Sequence, residues 1–182
     1  MEEQKQPLFQ NALRWGLILG AVSIALTAIA YAVDYSLFAD LKFGLISFAI
    51  FIGITVYAGI SYRKQIGGFI DFKNAFLHAF LTLAISGLLS TVFSIVLYSV
   101  VDPELPQKVA DASIESTQKM MEKFGMPEDQ LEKALEDARK DMEGRYTPIG
   151  LVKSYIWVVV GSAVFALIVG LIVRRKQPEE FS

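Results

Sequence analysis

Residues 62–76, with the sequence YRKQIGGFIDFKNAF, form the polar break around which the rest of the chain is organised. Long apolar runs lie on both sides of this stretch, and its basic residues sit directly against those runs. The Gly67-Gly68 pair permits backbone angles that other residues resist, so the chain can turn there. We call residues 62–76 the elbow and interpret it as a turn between two apolar segments.

The aromatic and basic side chains of the elbow are typical of a membrane interface. Phe69, Phe72 and Phe76 recur at spacings of three and four, which predicts one face of a helix. We expect the rings to dip into lipid while the basic side chains meet head groups. The residues assigned to this interface site are Arg63, Lys64, Gly67, Gly68, Phe69, Phe72 and Lys73.

The composition places the chain in a membrane. Hydrophobic residues make up 53% of the 182 residues, and the mean hydropathy is +0.43. Solvated loops and outer faces usually dilute the apolar content of a soluble domain below this level, whereas long uncharged runs are typical of membrane spans. The net charge of −2 indicates no basic surface for nucleic acid.

Four runs have the length of transmembrane helices: residues 15–33, 43–60, 75–101 and 149–173. The first, at ~1.5 Å per residue, extends about 28 Å and nearly matches a hydrocarbon core of ~30 Å. The alternative for this run is a cleaved signal peptide, because Ala28 and Ala30 resemble cleavage-site residues. We favour a span, since the apolar core of a signal peptide has only ~7–15 residues.

Residues 102–148 break this pattern with 12 acidic and 7 basic side chains. Acidic residues precede lysines by four positions, as Glu115 precedes Lys119, which supports solvated helices. Gly125-Met126-Pro127 interrupts the segment, and Pro127 is well placed to open a second helix. We predict a charged helical hairpin outside the lipid; the alternative is a flexible, partly helical loop.

The predicted fold is therefore an all-α integral membrane four-helix bundle with an extramembrane helical hairpin between the third and fourth spans. Residues 1–101 carry the N-terminal tail and spans one to three, residues 102–148 the hairpin, and residues 149–182 the fourth span and a basic tail. Within about five residues of the span ends, seven basic residues lie on the side of the tails and elbow and two on the other. This asymmetry predicts that both termini lie in the cytoplasm, with the hairpin outside it.

His78 is the only histidine and lies about one turn into the third span. Ionisable groups in membranes are functional candidates, so one interpretation is a proton relay or a ligand. With no second histidine and no carboxylate deep in any span, we favour an amphipathic ring at the head-group level, bonded to lipid or to a carbonyl.

Hydroxyl residues follow His78 along the third span. Ser86, Ser90 and Ser94 recur every four residues, with Thr82 on the same row. The row is compatible with a hydrophilic path through a bundle, and equally with close helix packing over small side chains. The absence of a deep charge favours packing.

Two further rows of small residues predict helix association. Gly16 and Gly20 form one in the first span, and Ser162, Ala166 and Gly170 form the other in the fourth. Residues four apart share a helix face, and small side chains let backbones approach closely in lipid. Part of these rows must pack inside the bundle, and the remainder predicts a homodimer or small oligomer.

No pattern of catalytic, cofactor-binding or metal-binding residues is present, so we predict neither an enzyme nor a cofactor. The chain has no cysteine. The carboxylates between Glu128 and Glu143 lack the spacing of a calcium loop, and several alternate with lysines along a solvated face.

The elbow also carries a family resemblance. Tyr62-Arg-Lys, followed by Gly67-Gly-Phe-Ile-x-Phe-Lys-x-Ala-Phe76, resembles the bacterial domain-of-unknown-function 4199 family. The layout of spans, elbow, charged insertion and basic end is similar throughout, as is Asp102-Pro103-Glu104. Asp71 departs from a small hydroxyl residue at that position. The resemblance implies a protein of the bacterial inner membrane and supplies no activity.

Two functions of different classes fit these patterns. The first is a non-catalytic scaffold or interaction protein, whose partners are the lipid bilayer, copies of itself and a protein that binds the hairpin. The alternative is a small transporter or channel subunit, with the hydroxyl row of the third span lining a path.

Overall fold

The computed structural model of this chain describes residues 7–142 and 144–177, so Lys5 in the N-terminal tail and Glu143 in the acidic segment lie outside the described residues. Six α-helices follow one another along the described chain. They are α1 (Leu8–Val33), α2 (Leu41–Gln65), α3 (Phe72–Val96), α4 (Leu105–Lys123), α5 (Glu128–Met142) and α6 (Pro148–Val173). A 3-10 helix at Tyr35–Ala39 joins α1 to α2, and a π-helical turn at Leu97–Val101 extends α3.

The prediction of four helices long and apolar enough to cross a membrane is confirmed for α1, α2, α6 and the continuous segment Phe72–Val101. Each is longer than the uncharged run that predicts it. α1 begins at Leu8 rather than at residue 15, and α2 continues through Gln65 rather than ending at residue 60. The reason is that helical backbone hydrogen bonds do not depend on an apolar side chain, so the ladder runs on into polar sequence.

Short acidic side chains set several helix boundaries. Asp40 Oδ1 accepts a hydrogen bond from Phe43 N at 2.7 Å, which satisfies a free N–H at the start of α2. Asp102 Oδ1 accepts from the N–H groups of Glu104 and Leu105, at 3.1 and 3.0 Å, where α4 begins. The break between α4 and α5 lies at Gly125, whose φ is +73°. With these boundaries, α4 and α5 both lie inside the charged segment, residues 102–148.

The described chain divides into two compact units. The first comprises the chain up to Ser23, residues Phe48–Ser90 and the chain from Tyr155. Its core consists of small and branched side chains together with buried residues of the elbow. The buried members of this core are Tyr62, Ile70, Ala75, Ala79, Ala166, Val169 and Val173.

The second unit comprises Ile24–Ser47 and Thr91–Ser154. Leu97 and Tyr98 of the π-helical turn form its core with Leu105 and Val109 of α4. α4 packs against α5 and against the 3-10 helix, where Ser116 Oγ donates a hydrogen bond to the Ala39 carbonyl at 3.0 Å. The charged segment is therefore anchored by an apolar side of α4.

Candidate functional site

The elbow turns on two consecutive glycines. Gly67 has φ +103° and Gly68 has φ +86°, a left-handed region in which a Cβ clashes with the backbone. Gly68 N donates to the Arg63 carbonyl at 2.8 Å, which closes the last turn of α2. Glycine at these positions lets the chain leave α2 in this direction without backbone strain.

Asp71 starts the next helix. Its Oδ1 accepts a hydrogen bond from Asn74 N at 2.9 Å, and its Oδ2 accepts one from Asn74 Nδ2 at 2.6 Å. The Asn74 N–H lowers the pKa of the Asp71 carboxyl below its usual value. The Asp71 carboxylate therefore caps α3 in the way that a serine or threonine hydroxyl caps many other helices.

The prediction that Phe69, Phe72 and Phe76 share one helical face is wrong for Phe69. α3 begins at Phe72 because Asp71 caps it there, and Phe69 lies in the turn before it. Phe72 and Phe76 do share α3, with ring centroids 6.3 Å apart.

The elbow binds the end of α6 through the main chain. Ile70 N donates to the Arg175 carbonyl at 3.0 Å, and Arg175 N donates to the Ile70 carbonyl at 2.9 Å. Arg63 Nη1 donates to the Val173 carbonyl at 2.6 Å, so it satisfies a free carbonyl at the helix end. Arg63, which was expected to meet lipid head groups, is half-buried, and one of its N–H groups is bonded to the Val173 carbonyl.

His78 lies at the centre of a polar cluster in the same unit. Its side chain is fully buried, and its ring stacks on Tyr62 with centroids 5.0 Å apart and planes 8° apart. Nε2 lies 2.9 Å from Asn11 Oδ1, and Asn11 Nδ2 donates to Gln65 Oε1 at 3.0 Å. We call Asn11, Tyr62, Gln65 and His78 the histidine cluster.

The histidine cluster corrects the interpretation of His78 as a head-group ring bonded to lipid or a carbonyl. Its partner is a buried amide on α1, and the bond fixes the ring's role: because Asn11 Oδ1 only accepts, His78 Nε2 must donate. Nδ1 has no hydrogen-bond partner among the described residues. Sequence reasoning missed Asn11 and Gln65. The available signal was that each is an amide within a few residues of an apolar run, where a polar side chain needs a partner.

The hydroxyls of the predicted polar row bond mainly to their own helix. Thr82 Oγ1 donates to the His78 carbonyl at 2.8 Å, and Ser90 Oγ lies 2.9 Å from the Ser86 carbonyl oxygen. Ser90 Oγ also lies 2.8 Å from Ser23 Oγ on α1. Ser94, the last member, is half-buried and belongs to the second unit. Hydroxyls that bond the preceding turn are satisfied without water, which favours packing over a path.

Both small-residue rows are used within the chain. A Cβ on Gly20 would lie 2.6 Å from Leu89 of α3, and one on Gly16 would lie 2.8 Å from Ile85. In α6, a Cβ on Gly170 would lie 3.2 Å from the backbone of Phe76, and Ala166 is fully buried. Ser162 is buried as well. Gly16 and Gly20 therefore lie in the contact of α1 with α3, and Gly170 lies in the contact of α6 with α3.

The second unit contains an open cleft of about 790 Å³. Its walls come from the π-helical turn, α4, α5 and the turn before α6. Tyr98 and Tyr146 form an edge-to-face pair on one wall, with centroids 5.9 Å apart. Its polar lining residues include Gln107 and Asp111 of α4 and Arg139 of α5. The cleft joins aromatic surface to both signs of charge, a combination suited to recognition.

Comparisons with known proteins identify a family. The model of the family described as "Protein of unknown function (DUF4199)" matches residues 14–175. The curated proteins and the solved structures contain no match to the chain.

Proposed function

We propose that this chain, which belongs to the DUF4199 family, is a non-catalytic membrane scaffold that binds a partner through the α4–α5 segment. The observation that carries the proposal is the open cleft of about 790 Å³ lined by α4 and α5. A polar cleft that is built on two amphipathic helices is typical of an interaction module.

The membrane part of the proposal is supported by the apolar surface of the long helices. α6 exposes Ile156, Trp157, Leu171 and Ile172 at 53–76% of their surface. Exposed apolar surface of this extent is unfavourable in water and favourable in lipid, because bilayer tails replace the missing core. We therefore propose an integral membrane protein with four crossings.

Its orientation is proposed from the basic residues at the helix ends. Four crossings place both termini and the elbow on one side, and the excess of basic residues close to those helix ends favours the cytoplasm. The segment 102–148 then faces the other side as a helical hairpin. In a bacterium this corresponds to the inner membrane.

The hairpin has the features of a rigid module. Its contacts in the structure include α4 with α5, and Ser116 with the Ala39 carbonyl. Gly125 allows the chain to turn between the helices, and Lys108 of α4 pairs with Glu104 at 3.3 Å. A preformed cleft loses less conformational entropy on binding than a flexible loop would.

The transporter alternative receives less support. Its predicted path depends on Thr82, Ser86, Ser90 and Ser94, and two of these hydroxyls lie within hydrogen-bond distance of carbonyls of α3 itself. A conducting path needs polar groups that are free to exchange partners with a solute.

The test is a cleft-blocking variant with a matched control. Gln107→Trp places an indole in the cleft, whereas Gln130→Trp places one on an exposed position of α5 that does not line it. Both variants and the wild type are tagged, purified from native membranes in mild detergent, and compared by quantitative mass spectrometry of the co-purified proteins.

The proposal predicts that a protein retained by the wild type and by Gln130→Trp is lost from Gln107→Trp, while all three unfold at similar temperatures. Identical sets of co-purified proteins for the two tryptophan variants would show that the cleft is not the binding surface. Uptake of a solute into vesicles that Ser90→Leu abolishes would favour the transporter instead.

A further inference from the structure

The main-chain bridge between Ile70 and Arg175 brings together two basic stretches that lie far apart in the sequence. One is the elbow, with Arg63, Lys64 and Lys73, and the other is residues 174–176 after α6. The two hydrogen bonds of the bridge, 3.0 and 2.9 Å, run in opposite directions between the same pair of residues. We call the six basic residues at 63, 64, 73 and 174–176 the basic clasp.

The charges of the basic clasp are not neutralised by the described protein. None of its six side chains forms an ion pair with a described residue, whereas Lys108, Lys119 and Lys140 each pair with a carboxylate in the charged segment. The one carboxylate of the elbow, Asp71, is bonded to Asn74. All six except the half-buried Arg63 are exposed.

Two guanidinium groups of the basic clasp are held in place by the fold. Arg63 donates to the Val173 carbonyl at 2.6 Å, and the Arg175 guanidinium lies 5.8 Å from the centroid of the Phe69 ring. A fixed planar guanidinium loses less entropy when it binds an oxyanion than a free side chain does. Arginine also offers paired N–H groups that match the oxygens of a phosphate.

Apolar surface begins directly beside these charges. Leu171 and Ile172, the last exposed residues of α6, are each 53% exposed. A ligand that fits has an anionic group for the guanidinium and ammonium groups and hydrocarbon for the adjoining helix. A soluble anion would use only the first of these features.

We propose that the basic clasp is a binding site for the phosphate of an anionic phospholipid, whose acyl chains lie along the exposed end of α6. This goes beyond the scaffold function, which concerns the cleft in the other unit. It also goes beyond general attraction between basic residues and a membrane, because the site exists only when the elbow and the C-terminal stretch are joined.

The first experiment measures lipid affinity by native mass spectrometry of the full chain in mild detergent, titrated with phosphatidylglycerol or phosphatidylcholine. Arg174→Gln with Lys176→Gln removes two exposed charges beyond the last helix. The matched control, Lys123→Gln with Lys133→Gln, removes two exposed charges from α4 and α5. Thermal unfolding confirms that each protein is folded.

The expected result is that phosphatidylglycerol binds more tightly than phosphatidylcholine, and that the clasp pair weakens it roughly 30-fold. This follows from about 1 kcal/mol for each basic residue near an anionic lipid surface. The control pair leaves the affinity unchanged. Equal affinities for the two lipids, or equal losses in the two variants, would overturn the proposal. Competition by inorganic phosphate at matched concentration would overturn the assignment to a lipid.

A second experiment separates a built site from diffuse charge. Arg175→Lys keeps the charge but removes the planar group beside Phe69, and Arg174→Lys makes the same exchange at a position with no described ring contact. A built site predicts a several-fold loss of phosphatidylglycerol affinity for Arg175→Lys alone. Equal affinities for both lysine variants would show that only net charge matters and would contradict the site.

Discussion

The histidine cluster and the α4–α5 segment are both polar, but they use their polar groups in opposite surroundings. Asn11 and His78 are at most 1% exposed, and their hydrogen bond joins α1 to α3. The ion pair Lys119–Glu115, at 2.6 Å, has both side chains at least 65% exposed and joins neighbouring turns of one helix. A buried polar group must find its partner in the protein, whereas an exposed one can use water. The buried hydrogen bond therefore links two helices, whereas the exposed ion pair stays within one helix and links none.

The largest expected effect is at Gly20, which sits in the close contact between α1 and α3. Gly20→Val places branched carbon where even a Cβ would lie 2.6 Å from Leu89. Overpacking of this kind costs about 1–3 kcal/mol or more, so we expect loss of folded protein or a sharply lower unfolding temperature in detergent. Gly53→Val is the control, since a Cβ on Gly53 meets nothing within 4 Å. A Gly20→Val protein that stays as stable as Gly53→Val but changes its oligomeric state would show that the row faces another copy.

The next effect is at His78, where replacement removes the buried hydrogen bond between His78 Nε2 and Asn11 Oδ1. We expect His78→Leu to lower the free energy of unfolding by about 1–3 kcal/mol, the cost of removing one partner of a buried hydrogen bond. The double variant His78→Leu with Asn11→Leu should cost less than the sum of the two single variants, because the two side chains share one hydrogen bond. Strict additivity in a denaturation cycle would show that this bond does not couple α1 to α3.

A smaller effect is expected at the elbow, and its sign distinguishes two kinds of glycine. Gly68→Ala should destabilise by about 1–2 kcal/mol, because φ is +86° there. Gly161→Ala should stabilise by up to about 1 kcal/mol, since Gly161 is helical and a Cβ there meets nothing within 4 Å. Thermal unfolding of the two alanine variants in the same detergent gives the comparison, and shifts of the same sign would contradict the strained turn.

The smallest effect is expected in the charged segment. Glu115→Gln breaks the exposed pair with Lys119 and should change the free energy of unfolding by less than about 0.5 kcal/mol. A loss comparable to that of His78→Leu would remove the contrast between buried and exposed polar groups.

The long helices could be predicted from the sequence because their signal is local. An uncharged run of about 20 residues specifies a helix of span length regardless of its neighbours. The interruption at Gly125 to Pro127 likewise separates α4 from α5, since turn and helix-start preferences act over a few residues. The observed helix ends differ from the predicted ones, as at Leu8, where α1 begins in polar sequence.

The contacts that assemble the candidate sites could not be predicted in the same way. His78 and Asn11 are 67 residues apart, and Arg63 and Val173 are 110 apart. Whether such residues meet depends on the rotation and depth of each helix, which follow from packing at positions such as Gly16 and Gly20. Uniformly apolar helices such as α6 give no periodic signal of which face packs inward.

In the proposed topology, four helices cross a membrane, and the elbow and both termini lie in the cytoplasm. The chain has no cysteine, so single cysteines at the exposed positions Ser36, Gln130 and Gln177 report on the 3-10 helix, α5 and the C-terminal stretch. Cells expressing each variant are treated with a membrane-impermeant maleimide before and after permeabilisation. This topology predicts labelling of Ser36→Cys and Gln130→Cys in intact cells and of Gln177→Cys only after permeabilisation. Labelling of Gln177→Cys alone in intact cells would reverse the orientation, and labelling of all three would contradict four crossings.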